Sequence, residues 1–166
     1  MTYYNLLYLI PASAVLLNLN QEKKYFQYVE YIFLTLLIFF LGFRYEIGGD
    51  WIWYKKNFDT FKDNNIFDSF NYSFNYGYII INWLISKIGL DYYYVNVFSA
   101  FILILSLKLF AESFDLDRAL CYCIIFPIGI VVIGMGFVRQ GCALSFFFIS
   151  LIFLKKNKYL LTYFFI

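Results

Sequence analysis

The sequence predicts an all-α protein, a polytopic transmembrane helical bundle with an extramembrane loop and an interfacial or re-entrant helix. Three observations predict it. Of the 166 residues, 63% are hydrophobic and only 14% are charged, with a mean hydropathy of +0.68; a soluble domain carries far more charge. Apolar runs recur along the chain at lengths suited to a hydrocarbon core of about 30 Å crossed at about 1.5 Å per residue. Dense lysine and arginine groups fall in the short polar stretches between those runs, as in cytoplasmic turns of membrane proteins.

The chain reads as a single membrane domain over 1–166, and its elements follow in order. A first span covers 3–19 and is closed by Gln21-Glu22-Lys23-Lys24. Ala12-Ser13-Ala14 has the small-residue form of a signal cleavage site, but no lysine or arginine precedes Leu6 and Pro11 breaks the apolar stretch, so a retained helix is expected. A second span covers 25–43, with Glu30 its one internal charge, placed to reach the interface or to pair with a lysine. Residues 44–75 form the extramembrane loop, polar yet too rich in Trp, Phe and Tyr for a disordered linker, and its aromatics also suit an interfacial belt.

The apolar stretch 78–88 is short and is interrupted by Asn82, Ser86 and Lys87, which predicts the interfacial or re-entrant helix. A further span covers 92–110, where Asn96 and Ser99 share a face suited to hydrogen-bonding a neighbouring helix. After the polar turn 112–118, a span over 119–137 holds Pro127, Gly129, Gly134 and Gly136, a composition that permits a kink and close helix approach. Val138-Arg139-Gln140 interrupts the apolar run, 141–154 continues it as another span, and Lys155-Lys156-Asn157-Lys158 ends it. The run 159–166 starts a sixth span and stops short, so the chain is expected to be the N-terminal part of a longer polytopic protein.

Orientation follows from the basic residues. If 78–88 stays out of the membrane core, then Lys23, Lys24, Lys108, Arg118 and the lysines of 155–158 lie on one side, the cytoplasmic one. The loop with its acids Glu46, Asp50, Asp59, Asp63 and Asp68 then shares the outer face with Arg139.

Composition also excludes several chemistries. Thirteen Lys and Arg against eleven Asp and Glu give a net charge of +2, too balanced for a nucleic-acid partner. Without a histidine the chain lacks the usual near-neutral base and the commonest metal ligand. Cys121, Cys123 and Cys142 lie in or beside apolar runs and read as small buried hydrophobes, so no metal and no cofactor is expected.

Chemistry concentrates in 44–58, R-Y-E-I-G-G-D-W-I-W-Y-K-K-N-F. Arg44 arrives directly at the end of a span, where it either snorkels to the interface or binds an anion. Arg139, followed by Gln140 between two apolar runs, is costly unless it sits in a turn, a cavity or a site. Together two outer-face arginines suit bidentate binding of a phosphate or diphosphate, and a lipid diphosphate is the natural anion at that depth. Gly48-Gly49-Asp50-Trp51 with Tyr54 reads either as a turn with aromatic anchors or as a sugar site, in which Asp50 is a base or a hydroxyl acceptor and Trp51 and Tyr54 stack on a sugar face.

The R-Y-x-I-G-x-D-W-x-x-Y run at 44–54, Phe58 beyond it, the apolar segment around Ile81-Asn82-Trp83-Leu84 and the F-V-R-Q-G-x-A run at 137–143 resemble the EpsG family of the Wzy-type O-antigen and exopolysaccharide polymerases. Where family members often carry an E-P-G-like element, this chain has Asn75-Tyr76-Gly77 and lacks that carboxylate. The resemblance implies a membrane glycosyltransferase without metal or cofactor. Its substrate would be an undecaprenyl-diphosphate-linked oligosaccharide, polymerised into capsule, O-antigen or exopolysaccharide on the outer face of the bacterial cytoplasmic membrane. It implies Arg44 and Arg139 as diphosphate ligands, Asp50 as base or acceptor-positioning residue, and Tyr45, Gly49, Trp51, Tyr54 and Gln140 as the lining of the lipid-sugar site. The implied partners are the lipid bilayer, the lipid-linked oligosaccharide and other polysaccharide-export proteins, with no nucleic acid. A membrane transporter or channel subunit is the alternative, resting on Glu30, Asn96 and Ser99 inside spans.

Overall fold

The structure, a computed structural model, describes residues 2–16, 23–48, 50–63 and 76–165, and no strand occurs among them. The described helices are α1 (Thr2–Leu16), α2 (Lys23–Gly42), α3 (Trp51–Asp63), α4 (Tyr76–Lys87) and α5 (Tyr92–Ser113). They continue with α6 (Arg118–Ile125), a π-helical segment (Phe126–Gly136), α7 (Val138–Lys155) and α8 (Tyr159–Phe165). By length and composition four helical stretches can cross a membrane: Tyr25–Gly42, Tyr92–Ser113, Arg118–Gly136 and Val138–Lys155. The protein is therefore a polytopic helical bundle.

The four spans alternate in direction around a core that includes Phe33, Leu37, Ile104, Tyr122, Phe126 and Ile130. Small residues set the closest approach. A Cβ on Gly42 would lie 2.5 Å from Val97 Cγ2 and 2.9 Å from Val97 Cα, so α2 and α5 meet at a contact that only glycine permits. Three helices end in a Schellman arrangement with a left-handed residue after the last turn: Gly89 after α4, Asp115 after α5 and Asn157 after α7. Asp117 caps α6 by accepting from the Leu120 N–H at 3.0 Å.

The span over 118–136 is not one α-helix. Beyond Ile125 it widens into the π-helical segment, which begins with Pro127 in its first turn and carries Gly129, Gly134 and Gly136. Proline removes a backbone donor, and glycines weaken the α-helical preference, so the wider register costs little here. The chain breaks at Phe137 (φ −133°, ψ 76°) and α7 starts at Val138. Arg139 and Gln140 thus occupy the first turn of α7 rather than a separate linker.

Within 44–75, described only in part, the structure holds the helix α3. Trp51, Tyr54, Phe58 and Phe61 are buried while Ile52 and Trp53 are exposed, an apolar stripe at helical spacing inside a stretch whose polar composition reads as loop. α4 packs against α3 and α5. At its far end Lys87 Nζ donates to the Lys62 carbonyl at 3.3 Å, so α3 and α4 return the chain to the end of the bundle where α2 finished.

The other end of the bundle gathers charge. Glu30, 2% exposed, accepts from Arg118 at 2.7 Å and from the Tyr122 hydroxyl at 2.6 Å. This corrects the expectation of an interfacial or lysine-paired carboxylate: the partner is an arginine delivered by the start of α6. Arg118 also contacts Glu112 at 3.1 Å, and Lys155 pairs with Asp115 at 3.5 Å.

Candidate functional site

The opposite end assembles residues from α2, α3, α4, α5, the π-helical segment and α7. The chain leaving α2 turns sharply, with Glu46 at φ 50° and Gly48 at φ 98°. A Cβ on Gly48 would stand 2.8 Å from the Gly136 carbonyl oxygen, so this turn lies directly on the end of the π-helical segment. Only glycine satisfies both the left-handed backbone and that approach.

Arg44 secures the same junction from inside. It is 3% exposed and donates from NH1 to the Gly134 carbonyl at 3.1 Å. Its Nε and NH2 have no hydrogen-bond partner among the described residues, and the same holds for the buried Tyr78 and Tyr92 hydroxyls and for Trp51 Nε1. Burial lowers the Arg44 pKa from its ordinary value, opposed by the facing Tyr92, with Tyr78 and Tyr54 also nearby. The guanidinium remains charged regardless. Burial, reinforced by Tyr92, pushes the Tyr78 phenol well above its ordinary value, so it is a neutral donor. A buried cation facing unpaired hydroxyls is unfavourable unless an acceptor joins it.

Tyr54, 3% exposed, links this buried group to the surface. Its hydroxyl donates to Asp50 Oδ2 at 3.3 Å and accepts from Arg139 Nε at 3.3 Å. The Arg139 guanidinium lies over the Tyr54 ring at 5.3 Å, and its NH2 stands 3.9 Å from Asp50 Oδ2. The Arg139 and Asp50 side chains are 44% and 39% exposed, so this pair is open to solvent. Asp50 immediately precedes α3 and its backbone carbonyl accepts from the Tyr54 N–H at 3.0 Å.

The remaining residues singled out from the sequence divide. Trp51 is buried between Tyr45 and Tyr92, with ring centroids at 5.4 and 6.5 Å. Tyr45 is 62% exposed and covers the outer edge of Trp51. Gln140 is exposed in the first turn of α7. Gly49 lies outside the described residues, as do Asn75 and Asp68. Arg44 and Arg139 thus border the same tyrosine, one from the interior and one from the surface.

Tyr78 and Tyr92 were not singled out from the sequence, although both belong to this group. Each opens an apolar helix, where a tyrosine passes for an interfacial anchor. Asn82, fully buried and donating to the Tyr78 carbonyl at 2.7 Å, was the available sign that the start of α4 faces inward. The residues behind the transporter alternative are held differently. Ser99 donates to the Val95 carbonyl at 2.7 Å and receives Cys142 Sγ at 3.2 Å, while Asn96 is buried with its amide unpartnered among the described residues. Glu30 lies at the opposite end with Arg118, so these three do not form one polar path.

Fold and site together define a multi-pass helical membrane protein with an arginine- and tyrosine-lined polar centre at one end of its spans. The sequence model of the EpsG family matches residues 27–166, and the chain belongs to that family, one of polysaccharide biosynthesis. The match takes in α2 from residue 27 and all of α3 through α8, including every residue of the candidate site. No curated protein and no solved structure matches the chain.

Proposed function

We propose that the protein polymerises undecaprenyl-diphosphate-linked oligosaccharide repeat units by glycosyl transfer on the outer face of the bacterial cytoplasmic membrane. The observation that carries this reading is the paired guanidinium arrangement about Tyr54, one buried with two unpartnered nitrogens and one exposed to a ligand. The charge pattern supports the orientation: Arg118, Lys108 and Lys155 lie at the end away from the site, which the positive-inside rule makes cytoplasmic.

In this reading the acceptor hydroxyl oxygen attacks the anomeric carbon of the donor glycan. The bond between that carbon and the diphosphate oxygen breaks, and the electron pair leaves with the diphosphate. Arg139 meets the developing charge first because it is accessible, and its planar fork suits two phosphate oxygens. Arg44 supplies Nε and NH2 from below, with Tyr92 and Tyr78 as neutral donors beside it. Asp50 orients Arg139 and accepts the hydroxyl proton, and Tyr54 holds both. Arginine and tyrosine donors at the departing diphosphate need no metal or cofactor.

The test is the chain-length ladder of the surface polysaccharide. Arg139→Ala and Arg44→Ala each remove long polymer while single repeat units persist on the lipid. Normal ladders in both variants refute the reading. Reciprocal dependence on other polysaccharide-export proteins belongs to the same proposal and is read from the same ladder in strains lacking them.

A further inference from the structure

A second cleft adjoins the arginine centre across a shared wall. It has a volume of about 250 Å³ and opens between α3 and the start of α5. Its floor is aromatic, built from Trp51, Phe58 and Tyr92. Those rings are locked edge to face, with Tyr92 centroids 6.5 Å from Trp51 and 5.9 Å from Phe58, so the floor is formed before any ligand arrives. Its rim is charged and exposed: Lys55, Asp59 and Lys62 from α3, and Asp91 ahead of α5.

Two lysines and two aspartates line the rim, so it carries no net charge. That distinguishes the cleft from the arginine centre and makes it a poor diphosphate site. An aromatic floor under alternating donors and acceptors instead suits a pyranose, whose C–H face lies on the rings while its hydroxyls meet the rim. Trp51, Lys55 and Asp59 stand one helical turn apart on one face of α3, and the same three line a shallower hollow of about 480 Å³ on their other side. The recognition surface therefore runs along the helix beyond a single ring. The Lys87 to Lys62 hydrogen bond ties the end of α3 to α4 and holds the rim in place.

Resting on the polymerase reading above, we propose that this cleft binds the non-reducing part of the acceptor glycan. It would hold the acceptor next to the diphosphate site, with which the cleft shares Trp51 and Tyr92, so that its attacking hydroxyl reaches over their edge to the donor. The cleft then governs how firmly the acceptor is held rather than how the diphosphate departs.

Two measurements test the assignment. Asp59→Asn and Asp91→Asn change exposed carboxylates outside the diphosphate site, and each is expected to weaken acceptor retention about tenfold. The polysaccharide ladder then shifts to shorter chains than those of the unsubstituted protein. A wild-type ladder in both variants, with long polymer lost in Arg139→Ala, overturns the cleft assignment and leaves the polymerase reading standing. A wild-type ladder in Arg139→Ala counts instead against the polymerase reading. Binding is read independently of transfer on full-length Tyr93→Cys protein, which keeps all four charged rim residues and places the thiol in the cleft wall; it is labelled with a membrane-impermeant maleimide, with unsubstituted protein as the background control. The probe is the oligosaccharide released by mild acid from the host's own lipid-linked repeat unit. Protection by that oligosaccharide but not by inorganic diphosphate is expected; equal labelling in its presence and absence overturns glycan binding in the cleft.

Discussion

Truncating Arg118 strands a carboxylate inside the bundle. The Glu30 side chain is 0% exposed and has two partners among the described residues, Arg118 at 2.7 Å and the Tyr122 hydroxyl at 2.6 Å. Arg118→Ala removes the cation that pairs with it among the described residues and leaves a buried charge with one neutral donor, a change that costs about 3–5 kcal/mol in comparable buried pairs. At about 2–4 °C per kcal/mol for a chain of this size, the melting temperature falls by roughly 6–20 °C. Glu30→Gln keeps the shape and accepts from Tyr122 without the charge. The double variant Arg118→Ala/Glu30→Gln is therefore more stable than Arg118→Ala alone, with a coupling of about 2 kcal/mol. The assay is thermal unfolding of purified protein in one detergent, following tryptophan fluorescence. Additive losses, or a double variant less stable than Arg118→Ala, refute the structural role of the pair. The same variants bear on transport: the polymerase reading expects Glu30→Gln to leave the polysaccharide ladder close to normal, whereas a transporter using Glu30 would lose solute flux.

Two further outcomes are expected. Gly48→Ala forces a left-handed backbone onto an L side chain, costing about 1–2 kcal/mol, and places a Cβ 2.8 Å from the Gly136 carbonyl oxygen. It lowers the melting temperature and shortens the polysaccharide ladder, whereas alanine at Gly136, where a Cβ meets nothing within 4 Å, has the smaller effect; equal effects at the two positions contradict the junction. Single cysteines at Asp59 and Lys156 label oppositely with an impermeant reagent on intact cells, Asp59→Cys reacting and Lys156→Cys not, and the reverse pattern inverts the proposed orientation.

Much of the bundle was legible because membrane crossing leaves a coarse signal. The spans are carried by long apolar runs, but the glycine at the tight α2–α5 contact, Gly42 against Val97, was not among those singled out, and a Cβ on Gly136 would meet nothing within 4 Å. α3 was hidden because its polar face, Lys55, Lys56, Asp59 and Lys62, dominates composition, although the spacing of Trp51, Tyr54, Phe58 and Phe61 was there to be counted. The π-helical segment was legible only as a weakened helix, since proline and glycine mark where the α register is costly but not which register replaces it. Glu30 illustrates a different limit. Its partner Arg118 is 88 residues away in sequence, and a long-range ion pair has no local signature.

The candidate site divides along the same line. Arg44, Asp50 and Arg139 could be singled out as candidates because a charge beside an apolar run is costly unless it is paired or bound, and Tyr54 because it follows Asp50 by one helical turn. That Arg44 is buried and Arg139 accessible was not, because burial depends on how the turn at Gly48 seats against Gly136. Tyr92 and Tyr78 were missed because a tyrosine opening a membrane helix satisfies the interfacial rule whether it faces lipid or a site.

The most direct measurement is repeat-unit transfer by purified protein in lipid vesicles supplied with undecaprenyl-diphosphate-linked repeat units. The account predicts that single units are consumed, that longer lipid-linked chains and free undecaprenyl diphosphate appear together, and that Arg139→Ala abolishes both. Unchanged single units with the unsubstituted protein, or equal transfer by Arg139→Ala, would contradict it.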